Sequence, residues 1–249
     1  MSKIAFIGDS FSAYDQTGQF ENQWSWKLAQ QFPQHEYYNY AHGGRGTVYY
    51  QYALLDAKMR GVDIVFVNRT YNHRVGFLIN DYDFKFEAET INDNYQTLFL
   101  DRNRHVWHSP ILNKNWHNNS PILAENSKIL NLSMAICKMI GTVLQHQSVS
   151  LTNQQYNDKW FDNIKNLYNF KHIIPLELMN ITGKNWDGGR DNAFRRMAVA
   201  HGVNNCEDDV KMFKAGLTVS LTDQHLSPYG NSWVLENYIL TPDTIKILE

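Results

Sequence analysis

Apolar positions fall in short unbroken runs, separated by stretches in which they recur every three or four residues. KIAFI (3–7) is the first run and reads as a buried strand. ENQWSWKLAQQF (21–32) follows with helical spacing at Trp24, Leu28 and Phe32. EYYNY (36–40) is a second strand and TVYYQYALLDAKMR (47–60) a second helix. VDIVFVN (62–68), apolar and β-branched, starts after Gly61 and ends in a polar loop, as a third strand should. Strand, helix, strand, helix, strand is the order of a parallel sheet with helices on both faces.

The rhythm then breaks. Residues 69–124 are polar, rich in Asn, Asp and aromatics, and weakly periodic. Structureless loops of that length are uncommon unless functional, so the segment is expected to be an insertion or cap over the carboxyl edge of the sheet. Helical patterns return at 125–147 and 153–168, followed by a strand in KHIIPLEL (171–178) and a helix in DNAFRRMAVAHG (191–202) that stops at Gly202. KAGLTVSLT (214–222) offers a fifth strand. SPYGNSWVLENYIL (227–240) is a last helix, with Ser227 as N-cap and Pro228 in its first position. No repeat or low-complexity linker divides the chain, and residues 1–249 read as a single domain.

Composition narrows the class. Of 249 residues, 43% are hydrophobic and 19% charged, which suits a globular protein with a substantial core. The net charge of −2 and the lack of a basic run argue against nucleic acid and membrane surfaces as partners. The two cysteines, Cys137 and Cys206, form no CxxC pair. No signal peptide or membrane span is legible, so a cytoplasmic location is expected, with release by lysis or assembly the other route out.

In an open parallel sheet, chemistry gathers beyond the carboxyl ends of the strands. There stand Gly8-Asp9-Ser10-Phe11-Ser12 after the first strand, Ala41-His42-Gly43-Gly44-Arg45-Gly46 after the second, and Arg69-Thr70-Tyr71-Asn72-His73 after the third. His225 lies in TDQHLSPYG, before the last helix. These segments supply a hydroxyl, free backbone N–H groups, a carboxamide and an imidazole. That inventory suits acyl transfer, in which a base activates a serine and preorganised donors hold the oxyanion. Gly, Asp and Ser are also ordinary turn formers, so each piece alone is weak.

Together the segments resemble the SGNH, or GDSL-like, hydrolase superfamily. Gly8 to Ser12 matches its Gly-Asp-Ser-Leu-Ser block with Phe11 for Leu, and Asn39 to Thr47 resembles the second block, with Gly44 in the glycine role. Asn72 matches the asparagine of the third block, without its flanking Gly and Asp. Asp223-Gln224-His225-Leu226-Ser227 resembles the last block, but Thr222 occupies the usual acid position, three residues before the histidine. The resemblance implies a flavodoxin-like three-layer α/β/α sandwich with a central parallel sheet. It implies Ser10 as nucleophile and His225 as base, with the Ser10 N–H, the Gly44 N–H and the Asn72 amide as oxyanion donors, and no metal or cofactor. Asp223 is the candidate substitute acid. An extended segment would turn it away from His225, which favours a Ser10–His225 dyad. Asn68 is the fallback amide if the third strand ends elsewhere.

Other readings compete. GGRG (43–46) lacks the pattern of a phosphate loop. His105, His108 and His117 have no carboxylate or thiol at ligand spacing and read as loop residues rather than a metal site. Trp107, Trp116 and Trp186 sit in polar surroundings, as anchors under loops or as platforms for sugar rings. The expected partner is thus a small-molecule or glycan ester, such as an O-acetylated sugar, with transfer to a sugar instead of water left open. The rival is a catalytically degenerate module of the same fold that binds carbohydrate or protein.

Overall fold

In the computed structural model the described residues are 1–13, 20–43, 45–69, 75–78, 86–100, 105–108, 164, 166–178, 192–204, 209–221, 223 and 225–249. The strands are β1 (Lys3–Ile7), β2 (Glu36–Asn39), β3 (Ile64–Asn68), β4 (Val75–Leu78), β5 (Phe86–Asn92), β6 (Tyr95–Leu100), β7 (His105–His108) and β8 (His172–Leu176). Six of them form one sheet in the order β5-β6-β2-β1-β3-β8. Every neighbouring pair is parallel except β5–β6. With β2 and β3 on opposite sides of β1, the chain changes its direction of growth there, which is where open α/β sheets place their ligands.

Alternation along the central strands divides the core into two clusters. Ile4, Phe6, Tyr37, Ile64 and Phe66 join one; Ala5, Ile7, Tyr38, Val65 and Val67 join the other. Because successive strand side chains point to opposite faces, both faces of the sheet are apolar and both need cover. Helix α1 (Trp24–Gln31) brings Trp24, Leu28 and Ala29 to the first cluster. Helix α2 (Thr47–Met59) brings Tyr49, Tyr50, Ala53, Leu54 and Ala57 to the second. The first cluster also receives Phe194 and Met197 from α3 (Ala193–Ala200) and Met212 from α4 (Asp209–Lys214). Val234 of α5 (Pro228–Val234) and Leu248 of α6 (Pro242–Leu248) complete it. Phe6 lies at its centre, edge-on to Trp24 at 5.3 Å and stacked on Tyr37 at 5.8 Å. Each such ring pair adds about 0.5–1.5 kcal/mol beyond the area it buries.

The helix caps follow the sequence. Asn192 accepts the Arg195 N–H, Ser227 accepts the Gly230 N–H with Pro228 just inside, and Gly202 takes the left-handed conformation (φ 70°) after α3. Three expectations are corrected. Residues 69–124 are not simply a cap: within them β5 and β6 form a hairpin that extends the main sheet beyond β2, and β4 pairs with β7 in a separate two-stranded ladder. The sheet is therefore mostly, not wholly, parallel. Of residues 214–222 the described ones, 214–221, form no strand; Asp209–Lys214 is helical, and among the described residues only an isolated bridge, Thr218 to Leu226, follows. The last helix gives way at Val234 to a π-helical turn, Leu235–Ile239, and Thr241 caps α6 behind it.

The outermost described strands differ from the centre. In β5, Phe86 is buried, but the next four residues, Glu87 to Thr90, are exposed on both faces. β8, at the opposite end, contains Pro175. The helical stretch expected at 125–147 and most of the one expected at 153–168 lie outside the described residues; 164 and 166–168 are described and helical. Among the described residues, no helix is long and apolar enough to cross a membrane.

Candidate active site

β1 delivers Gly8 to Ser12 to the carboxyl edge of the sheet as a tight turn. The Asp9 carbonyl accepts the Ser12 and Ala13 N–H groups, each at 3.0 Å. The Asp9 carboxylate accepts the Phe11 N–H at 3.1 Å, closing an Asx turn around Ser10. Asp9 is fully buried, so these bonds take the place of water around its side chain. Glycine is required at position 8 by proximity: a Cβ there would lie 2.7 Å from Ser12 Cβ and 3.2 Å from Asn68 Cβ.

Two asparagines, each the last residue of its strand, hold this turn from either side. Asn68, at the end of β3, donates to the Asp9 carboxylate at 3.1 Å and accepts the Leu178 N–H at 3.2 Å. Asn39, at the end of β2, donates to the Ser12 carbonyl at 3.3 Å and accepts the Ala41 N–H at 2.9 Å. Both are buried, so their amides act as clips in the protein interior. Asn68, the fallback oxyanion amide, thus has its donor on Asp9. The following loop is tied back by the His42 N–H on the Gly8 carbonyl at 3.1 Å. It brings Gly43 beside the half-buried Ser10: a Cβ on Gly43 would sit 3.9 Å from Ser10 Cβ.

His225 comes from the opposite end of the chain. Its carbonyl accepts the Val219 N–H at 2.9 Å, next to the Thr218–Leu226 bridge. Asp223 does not point away, as an extended segment would require. Its carboxylate accepts the His225 backbone N–H at 3.0 Å and meets the imidazole at Nδ1 in a short contact. A carboxylate only accepts, so Nδ1 carries a proton and the neutral ring has its lone pair on Nε2. Nε2 is buried and has no hydrogen-bond partner among the described residues. Burial pushes the Asp223 carboxyl up, but the backbone and side-chain hydrogen bonds from His225, with its charge, outweigh that and hold it below its ordinary value.

The imidazole stacks on the ring of Phe11, centroids 5.0 Å apart and planes 22° apart. This places His225 against the residue next to Ser10. No hydrogen bond joins the Ser10 hydroxyl to His225 among the described residues. Nearby, β3 and β8 are joined past their ends by an ion pair, Arg69 to Glu177 at 2.6 Å, with both side chains nearly buried. Breaking such a pair leaves one uncompensated charge in the interior.

Ser10, Asp223 and His225 are thus gathered at one edge of the sheet. Gly44, Asn72 and Thr222 lie outside the described residues. So does His117; His105 and His108 contribute to β7, and no group of three His, Cys, Asp or Glu able to hold a metal occurs among the described residues. Asp9, which the sequence marks only as a turn former, organises the Ser10 turn. The available signal was a polar Asn ending each of two apolar strands, which a buried strand end tolerates only with partners waiting. No family model matches the chain, and no curated protein matches it.

Proposed function

We propose that this protein is a serine esterase of the SGNH type, built on a flavodoxin-like three-layer α/β/α sandwich. The observation that carries the reading is the Asp223–His225 pair, whose imidazole stacks on Phe11 in the turn that presents Ser10 and whose Nε2 has no partner among the described residues. The Ser10 hydroxyl attacks the ester carbonyl as its proton passes to His225 Nε2. Asp223 holds the ring in the required tautomer and stabilises the imidazolium. The Ser10 N–H, with the Gly44 N–H and the Asn72 amide that the resemblance assigns, receives the oxyanion. Collapse expels the alcohol with the proton from His225. Water then attacks the acyl-enzyme, His225 again taking the proton, and the carboxylic acid leaves. The Ser10–His225 hydrogen bond forms in the substrate complex, since such bonds are often long or misaligned in the free enzyme.

The substrate class follows from composition. The segment after β3 is polar and carries Trp107 and Trp116, which favours a short acyl group on a sugar over a long acyl chain. A fluorophosphonate probe should label Ser10 once. Turnover should fall from p-nitrophenyl acetate through octanoate to palmitate, with acetylated xylan also hydrolysed. Ser10→Ala should abolish labelling and turnover with the fold intact. The missing Ser10–His225 bond favours one second reading, a binding module that has kept the fold and lost the reaction. Glycan binding with neither labelling nor turnover of any ester would establish that alternative.

A further inference from the structure

The sheet fixes the Ser10 turn but not His225. The described residues from Ala215 to Ser227 belong to no strand of the sheet, and their isolated bridge joins only residues of this segment. Yet the imidazole is stacked on the residue beside Ser10. Something else must set the distance between the two loops.

A continuous buried path connects them. The indole Nε1–H of Trp24 donates to the Phe11 carbonyl at 3.0 Å, gripping the nucleophile turn. The backbone N–H of Trp24 donates to Asn231 Oδ1 at 3.2 Å. Asn231 Nδ2 donates to the carbonyls of Leu226 at 3.1 Å and Ser227 at 3.2 Å, immediately after His225. Trp24 is 1% and Asn231 2% exposed, so water does not compete for these bonds.

Residue type matters at both positions. Trp24 is the first residue of α1, where the backbone N–H has no partner within the helix, and the preceding Gln23 makes no side-chain cap. Asn231 supplies that cap from another helix. An asparagine inside a helix costs propensity, and here its oxygen is spent on the start of α1 and its amide N–H groups on the His225 loop. A leucine could neither cap α1 nor hold the His225 loop.

Resting on the esterase reading above, we propose that Trp24 and Asn231 are positioning residues that hold the Ser10 turn and the His225 loop in mutual register. They touch neither substrate nor reacting atoms; they act through the Phe11 carbonyl on one side and the Leu226 and Ser227 carbonyls on the other. A shift of about 1 Å between such groups is enough to cost on the order of a hundredfold in rate.

Two substitutions cut the path at different points. Trp24→Phe keeps a ring in the core and removes the indole donor. Asn231→Asp keeps the acceptor for the Trp24 N–H and removes both donors to the His225 loop. The first readout is the low-field proton resonance of His225 Nδ1–H and the ring signals of His225, which need no activity. The others are the rate of fluorophosphonate labelling at Ser10, and kcat with KM on p-nitrophenyl acetate. Each variant should shift or broaden the His225 signals, slow labelling by about ten- to a hundredfold, and lower kcat with KM nearly unchanged. The double variant should fall little below the worse single one, because both break one path. If Asn231→Asp fails to fold, Trp24→Phe decides alone. Parental His225 signals and a parental labelling rate in folded Trp24→Phe would overturn the proposal. A parent protein that never labels, while Trp24→Phe still moves the His225 signals, would refute the esterase reading and leave the register role standing.

Discussion

The imidazole of His225 lies nearly parallel to the ring of Phe11, with centroids 5.0 Å apart, although the two residues come from opposite ends of the chain. Phe11 is also edge-on to Phe194 of α3 at 5.5 Å, so the surface under the imidazole is itself braced. Phe11→Leu, which gives the residue usual in the family that the motif resembles, removes both ring contacts. It should cost about 1–3 kcal/mol. Thermal unfolding of the two proteins side by side checks this; an unchanged midpoint would show that the stack carries no energy.

Asp223 should behave as the orienting acid. Asp223→Asn leaves the shape of the side chain but removes its charge and puts an N–H donor in place of one acceptor oxygen, so the imidazole tautomer is no longer fixed. The corresponding change in a serine triad costs about 10⁴-fold in kcat, and a loss of at least about a hundredfold is expected here. Thr222→Asp, at the position where the resemblance puts the acid, should add little to the parent enzyme. A nearly silent Asp223→Asn would show that the site runs on Ser10 and His225 alone.

The same carboxyl sets a pH dependence of stability. Its value is held below the ordinary one in the folded protein. The unfolded chain therefore binds its proton first as pH falls. The stabilisation is complete above the ordinary carboxylate value of about 4 and is lost as pH drops through the lower folded value. The difference in unfolding midpoint between the parent and Asp223→Asn should be constant near neutrality and shrink below about pH 4. A difference that grew on acidification would contradict this sign.

Gly8→Ala tests the packing under the nucleophile turn. The added methyl meets Ser12 Cβ and Oγ at 2.7 Å and Asn68 Cβ at 3.2 Å, and both residues are buried. Overpacking of this kind costs about 1–3 kcal/mol. Because the turn must move to make room, labelling at Ser10 should slow as well. Chemical denaturation and labelling rate, measured on one preparation, separate the two effects.

The central strands were legible because they are apolar on both faces: the limits read for β1, β2 and β3 differ from the observed ones by no more than two residues. β5 escaped notice for the opposite reason. With Glu87, Ala88, Glu89 and Thr90 all exposed, it has no buried face to create an alternation. Residues 214–222 imitated a strand because Leu217 and Thr218 are buried; the cause is not a ladder but α5, whose Gly230 packs against the Leu217 carbonyl. At the site, Ser10 and His225 could be found by motif. The direction taken by Asp223 could not, since it depends on an Asx turn onto the His225 N–H that no residue pattern announces. The clips Asn39, Asn68 and Asn231 join segments far apart in sequence, and a linear reading does not reveal such pairings.

The outer strands bear on how the protein behaves among its own copies. An unpaired sheet edge is a template on which another chain can add a strand, and a crowded solution makes that addition frequent. A second molecule approaching β5 would have to bring its own Glu87 and Glu89 alongside the same two carboxylates and dehydrate all four. At β8, Pro175 lacks the N–H that one step of a new ladder would need. Among the described residues, the candidate site lies at the carboxyl end of the sheet, while its two outermost strands resist further pairing by charge and by proline. Replacing Glu87 and Glu89 with valine should therefore leave labelling at Ser10 intact and make light scattering rise steeply with concentration.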